Sequence, residues 1–383
     1  MEVLTAYAIL KIVWWILLGV LFAGLAIMVG MDMGVGTILR FIGRTDDERR
    51  VALNIIGPHW DGNQVWFILG GGAIFAAWPT IYGTAFSGLY VVMLLLLWSM
   101  IVRPLGFEYR SKLPSAKWRN IWDWTLFISG FVPMLVYGAA FGNVMVGFPF
   151  HFSLQGTAIS VYTGSFITLF NPFAVLMGLL SVSLSVYMGA AMVMGRAEGA
   201  MKERARTLVT VAGPVALVLF TIGGVWVAMM KGFTFSGPVD PGMPANPTIG
   251  LPVVQESGAW LSNFKHVPIL WVLPLLTYLA VITGFIGARA DRFQLTWWAG
   301  AVAWIGVLGT VAAATFPFMM PSYADPAHSL TIWNSGSSEL TLWWMLGWTL
   351  VFVPAILIYT SWCFWIMRGK VSAEHVQADD HAY

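Results

Sequence analysis

Two carboxylates stand in otherwise apolar sequence. Asp32 lies in Gly30-Met31-Asp32-Met33-Gly34-Val35-Gly36, and Asp61 in Gly57-Pro58-His59-Trp60-Asp61-Gly62-Asn63-Gln64-Val65-Trp66. Ionisable groups inside a membrane-spanning run are costly and mark sites of function by default. A continuous helix counted from Arg50 would carry Asp61 about 16 Å inward, and one counted back from Arg40 would carry Asp32 about 12 Å. Both acids are then within reach of water from one side, as a proton path or a quinone contact requires. The alternative for each is a satisfied polar contact between helices or subunits. Pro58 removes a backbone donor and opens the helix locally, and such breaks in membrane helices line cavities. His59 joins Asp61 and Asp32 as a proton-pathway candidate; it could instead ligate a haem or be a hydrogen-bonded core group. Trp60, Asn63, Gln64 and Arg103 are candidates for a quinone or subunit contact. Arg103 could be a counter-ion for a buried acid or an ordinary topology charge. Trp66 and Trp98 lie inside spans, where they could shape an apolar passage for oxygen or simply pack.

Other chemistries find little support. His151, His266, His328, His375 and His381 fall in loops or the tail, so no buried His–His or His–Met pair offers to clamp a haem. The 20 methionines are scattered and suit packing. Cys363 is the single cysteine, which excludes an internal disulfide or a thiolate metal cluster. Gly30, Gly34, Gly36 and Gly70-Gly71-Gly72 suit close helix packing.

The elements that must position these residues are membrane helices. Of 383 residues, 58% are hydrophobic and 10% charged, against about 25% charged in soluble domains. A net charge of +2 gives no sign of nucleic-acid binding. Runs long enough to cross a bilayer read as about nine helices: Tyr7–Leu39, Val51–Trp78, Ile81–Val102, Trp124–Val146, Phe166–Met194, Thr207–Met230, Val267–Ala288, Phe293–Met320 and Leu340–Met367. They are long and do not alternate, so helices are expected and not barrel strands. The fold class is an all-α integral membrane protein, a single polytopic domain over residues 1–383. Two four-helix bundles plus one extra helix fit the count. The first run reads as a span and not as a cleavable signal peptide.

Orientation follows from lysine and arginine. All but three of the 20 fall after odd-numbered spans; the exceptions are Lys11, Lys231 and Lys265. This places the N-terminus and the 231–266 loop outside and the 368–383 tail in the cytoplasm. Tryptophans near span ends suit interfacial anchoring.

Blocks along the whole chain resemble subunit II of the cytochrome bd quinol oxidases. They are Met31–Gly36, Pro58–Trp66, Phe75–Pro79, Arg103–Lys112, Trp118–Trp124, Gly258–Leu261, Phe316–Ser322 and Ser338–Leu342, in family order. One departure is visible: relatives often have Thr-Asp-Gly-Phe-Asp where this chain has Met28-Val29-Gly30-Met31-Asp32, so the first acid is missing. The resemblance implies a complex in which subunit I carries two haems b and one haem d and oxidises quinol. Oxygen is reduced to water with cytoplasmic protons. It further implies that this chain carries no haem, packs against subunit I, holds a structural quinone as many relatives do, and contributes Asp61 to the proton route. A small accessory membrane subunit would complete such a complex.

Two other readings compete. A pair of intramembrane acids suits a stand-alone proton- or ion-coupled carrier, which would show matched broken helices in inverted repeats; only one broken span is evident in the sequence. A purely structural assembly subunit is the third.

Overall fold

The computed structural model describes residues 4–153 and 159–378. The first apolar run is one rod in three pieces: α1 (Ala6–Gly24), a π-helical turn (Leu25–Val29) and α2 (Gly30–Ile42). A π turn frees a backbone carbonyl, and here the Tyr137 hydroxyl donates to Phe22 O at 2.9 Å. A capping box starts α3 (Asp46–Ile56): Thr45 Oγ1 accepts from Glu48 N, and Glu48 Oε2 accepts from Thr45 N, a motif worth about 1 kcal/mol.

The expected second span, Val51–Trp78, is not one helix. The chain turns at Gly57–His59, and α4 (Trp60–Ala77) starts afresh from His59. Pro58 supplies the reason, having no N–H to continue the ladder. The third span is also in two pieces, α5 (Pro79–Gly88) and α6 (Tyr90–Tyr109). The remaining helices are α7 (Ala116–Val146), α8 (Pro172–Arg196), α9 (Gly199–Met229), the short α10 (Ser262–His266), α11 (Val272–Arg289), α12 (Phe293–Thr315), α13 (Glu339–Ile366) and the short α14 (Ala373–Ala378). Among the described residues, eight helices are long and apolar enough to cross a membrane. The broken second segment is not among them, because Asp61, Asn63 and Gln64 dilute α4.

The helices pack in two groups. The rod α1–α2 with α4, α5–α6 and α7 forms the first four-membered group, and α8, α9, α11 and α12 the second. The groups meet where α8 lies against α2 and α7. Their backbones nearly touch: a Cβ on Gly34 would sit 1.8 Å from Ser185 O, and one on Gly189 2.4 Å from Val35 N. Small residues at such crossings permit this approach. The extra helix, α13, leans on α1 and has only Leu342 buried.

The basic segments gather at one end. There Arg110 pairs with Asp123 and Asp46, Arg49 with Asp123, Arg119 with Asp46, and Arg204 with Glu48. The opposite end is capped by three antiparallel hairpins: β1 (Phe150–Ser153) with β2 (Ile159–Tyr162), β3 (Lys231–Phe235) with β4 (Val253–Ser257), and β5 (Phe318–Met320) with β6 (Leu330–Thr331). Lys11 is buried beneath that cap. Its ammonium donates to Met243 O at 2.7 Å, Trp333 O at 2.8 Å and Pro241 O at 3.3 Å, and lies over the Tyr7 ring.

Candidate functional site

The break between α3 and α4 brings two polar side chains, His59 and Asn63, onto Asp32 of α2. Asp32 is fully buried. Its Oδ2 accepts from Asn63 Nδ2 at 2.9 Å, and its Oδ1 lies 3.9 Å from His59 Nδ1. Asn63 faces Asp32 because the restart of the helix at Trp60 places position 63 one turn in, with Asn63 N bonded to His59 O at 2.9 Å. His59 is buried, with its ring stacked on Phe364 of α13 at 4.4 Å.

Arg103 supplies the cation. It is 2% exposed, within electrostatic reach of Asp32, and donates to Met33 Sδ at 3.1 Å. Its guanidinium lies 5.7 Å from the Trp60 ring and 5.8 Å from the Phe107 ring, and these two rings stack at 4.7 Å. Attraction between a cation and aromatic faces helps hold a desolvated guanidinium. Several buried atoms here have no hydrogen-bond partner among the described residues: Asp32 Oδ1, both ring nitrogens of His59, Trp60 Nε1, Gln64 Nε2 and Arg103 Nη2. Buried polar groups in folded proteins are almost always satisfied, so these atoms call for ordered water or for a partner chain.

Asp61 is placed elsewhere. It lies in the first turn of α4 on the exposed side of the chain, with no hydrogen-bond or ion-pair partner among the described residues. The depth counted from Arg50 assumed a continuous helix, and the turn at Gly57–His59 removes that assumption. Along the same outward face stand Gly62, Val65, Ile68, Gly72 and Phe75. Asp32, His59, Asn63, Trp60 and Arg103 are therefore one interior cluster. Gln64 is half-buried at its rim, and Asp61 faces away from it.

The two tryptophans are not brought together. Trp66 is buried between α4 and α1, where a Cβ on Gly24 would meet its ring at 2.4 Å. Trp98 is 63% exposed and lines an open apolar groove of about 350 Å³ with Leu95, Ser99, Val102, Thr125, Ile128 and Val132. Among the described residues no group of three or more His, Cys, Asp or Glu could hold a metal ion.

Sequence reading missed Lys11, which was counted only as a topology charge although it lies inside the first apolar run. It also missed Asp123, buried between Arg110 (2.6 Å) and Arg49 (2.8 Å). A lone acid just after a basic stretch was the available signal.

Comparison with known proteins places the chain in a family. A profile of cytochrome bd terminal oxidase subunit II matches residues 10–367. The chain is 44% identical over 377 residues to cytochrome bd-I ubiquinol oxidase subunit 2 of Escherichia coli K12, covering 98% of this chain and 99% of that one. It is 28% identical over 360 residues to cytochrome bd ubiquinol oxidase subunit 2 of Bacillus subtilis, covering 94% and 96%. The fold is similar to a chain in the structure of bd oxidase from Geobacillus thermodenitrificans, with a TM-score of 0.67 at 14% identity, covering 92% of this chain and 97% of that one. With a family profile matched over residues 10–367 and 44% identity over nearly the full length of a curated relative, the chain belongs to the cytochrome bd terminal oxidase subunit II family.

Proposed function

We propose that this chain is the haem-free second subunit of a quinol oxidase that reduces oxygen to water. It packs against a partner subunit bearing two haems b and one haem d, and passes cytoplasmic protons toward that partner through Asp61. The observation that carries the reading is the outward aspect of Asp61. A carboxylate on a helix face otherwise made of Gly62, Val65, Ile68, Gly72 and Phe75 is costly against hydrocarbon. A partner helix relieves that cost by covering the acid, and a covered acid at a subunit seam is placed to hand protons across it. Asp32 is less suited to this task, because Asn63 and Arg103 already engage it inside the chain. It serves, with His59, as the interior end of the path. Gln64, at the rim, joins Asp61 in the subunit contact, while Trp60, Asn63 and Arg103 shape the interior. A structural quinone and a small accessory subunit belong to the same reading, as does an inner-membrane orientation with the basic end cytoplasmic. Family membership supports the oxidase over a stand-alone carrier.

The test is quinol-driven oxygen consumption by the purified complex. Asp61→Asn keeps the shape but releases no carboxyl proton, and should slow turnover about 100-fold or more with the haem spectrum unchanged. Asp61→Glu should retain more activity. Parent-like turnover by Asp61→Asn would exclude the relay. Reporter fusions at Gly250 and Gln377 should report opposite sides of the membrane.

A further inference from the structure

We propose that the α6–α7 hairpin holds one anionic phospholipid, with its phosphate at the 109–122 turn and an acyl chain in the groove beside Trp98. The inference rests on the membrane placement of α6 and α7 and is independent of the proton relay.

The groove between the two helices has about 350 Å³ of room. Its two hydroxyls are turned back onto their own helices: Ser99 Oγ donates to Leu96 O at 2.7 Å, and Thr125 Oγ1 to Ile121 O at 3.0 Å. The walls therefore offer hydrocarbon contact and no group that would recognise a polar head.

The end of the groove nearest the basic segments is different. Counted on from Val102, where the groove stops on α6, Tyr109 stands two turns further along the same face. Counted back from Thr125, Trp122 and Trp118 stand one and two turns away. The three rings meet there. Tyr109 and Trp122 lie at 6.4 Å, Trp118 and Trp122 at 5.6 Å, and Trp118 Nε1 donates to Tyr109 O at 2.8 Å. At this turn Arg110 Nη1, Ser111 Oγ and Trp122 Nε1 are buried with no hydrogen-bond partner among the described residues, and Arg110 as a whole is fully buried. The first and third of these atoms can only donate, and the second can donate too. Donors left open in this way call for an acceptor.

Charge says which acceptor. Arg49, Arg110 and Arg119 share only two acids, Asp46 and Asp123. Lys112 and Lys117 stand exposed on the turn, and Glu108 is the one acid between 108 and 120. A phosphate diester satisfies the donors and balances the excess of cations, and ionised acceptors make the stronger hydrogen bonds. Trp and Tyr favour the headgroup level, and basic segments beside a span attract anionic lipid. The groove makes the occupant a lipid and not a free phosphate, because it leads from the donors into the hydrocarbon.

The test uses the purified complex in nanodiscs doped with phosphatidylglycerol that bears a diazirine in its acyl chain. Photolabel within 95–102 and 125–132 is read by mass spectrometry of the digested chain. The parent should label there. Ser111→Ala with Trp122→Phe removes two donors and keeps an aromatic ring, and should label about tenfold less. Thr125→Trp fills the groove, leaves the donors in place and should label as little. A phosphatidylcholine probe should label the parent about as weakly as phosphatidylglycerol labels the donor variant. Equal labelling of parent and donor variant overturns the site, as does equal labelling by the two lipids. An unlabelled groove in the parent means that a protein helix covers it, and label displaced by inorganic phosphate means a free-anion site; either result overturns the lipid.

Discussion

The two four-helix groups are built from the same apolar alphabet and differ in how they treat polar atoms. In the second group the helices run unbroken, and most buried polar side chains close onto backbone carbonyls: Ser183 donates to Ala212 O, Tyr187 to Thr296 O at 2.9 Å, and Thr296 to Arg292 O, with Ser181 Oγ and Trp304 Nε1 the exceptions. In the first group one helix carries a π turn, the second is cut at Pro58 and the third is cut at Leu89. There the buried polar atoms are left open at Asp32, His59, Trp60, Gln64 and Arg103. Helix breaks and unsatisfied polar groups coincide because each needs what the other supplies: a break exposes backbone that wants polar company, and polar side chains want a cavity. In the function proposed here the second group is a scaffold, and the first carries the proton path.

The sharpest way to break that contrast is to remove one charge from the first group. Asp32 and Arg103 are not in ion-pair contact, but Arg103→Met removes a cation whose field offsets the buried acid, a loss bounded by the about 3–5 kcal/mol of breaking a contacting buried pair. Thermal unfolding of the complex should show a large loss of stability or of assembled yield. Adding Asp32→Leu should recover much of it, because two absent charges are cheaper than one orphan. If Arg103→Met matches the parent, the pair is not what holds the cluster. Asp32→Asn alone should affect turnover less than Asp61→Asn and stability more, since Asp61 has no partner among the described residues to orphan.

In the second group the matching probe is milder. Tyr187→Phe removes one satisfied hydrogen bond, worth about 1 kcal/mol, and oxygen consumption by the assembled complex should be unchanged. A turnover defect there would mean that the scaffold is not inert.

The smallest effect is expected at the seam between the groups, where Arg204 of α9 clasps Glu48 of α3. Burial pushes the Glu48 carboxyl up, but hydrogen bonds from Arg204 and from the backbone of Arg44 and Thr45 outweigh it and hold it below the usual glutamate value. A depressed carboxylate stabilises the fold above its unfolded value, and this contribution is lost as pH falls through the folded one. The seam should therefore weaken only in acid, below about pH 4.5. Glu48→Gln should flatten that part of a stability–pH curve and change little at neutrality.

Most of the spans were legible because length and hydropathy alone define them. The two-group packing followed from their count, and the charge alternation from Arg40, Arg103, Arg196 and Arg289 and their neighbours foretold the basic end. Asp32, His59, Asn63 and Arg103 were each legible as residues out of place in apolar sequence. Their meeting was not, because it depends on which way α4 faces after its restart at Trp60, a rotation set by the turn and not by any periodicity. For the same reason Asp61 read as buried: along an unbroken helix from Arg50 nothing distinguishes inside from outside. The break at Leu89 had no proline within it to announce it, and Lys11 found its partners in loops far away in sequence.

The π turn at Leu25–Val29 carries a consequence for heredity. Such a turn is in effect one residue inserted into an α-helix. Deleting any single residue from 25 to 29 would restore a regular rod and rotate everything after it by about 100° relative to everything before it. Asp32 and Gly34 would then leave Asn63 and Ser185 together, without either having been mutated. Substitutions in this stretch leave that rotation as it is, whereas a single lost codon changes it. The acid's address is thus held by the reading length of the helix as much as by the aspartate itself.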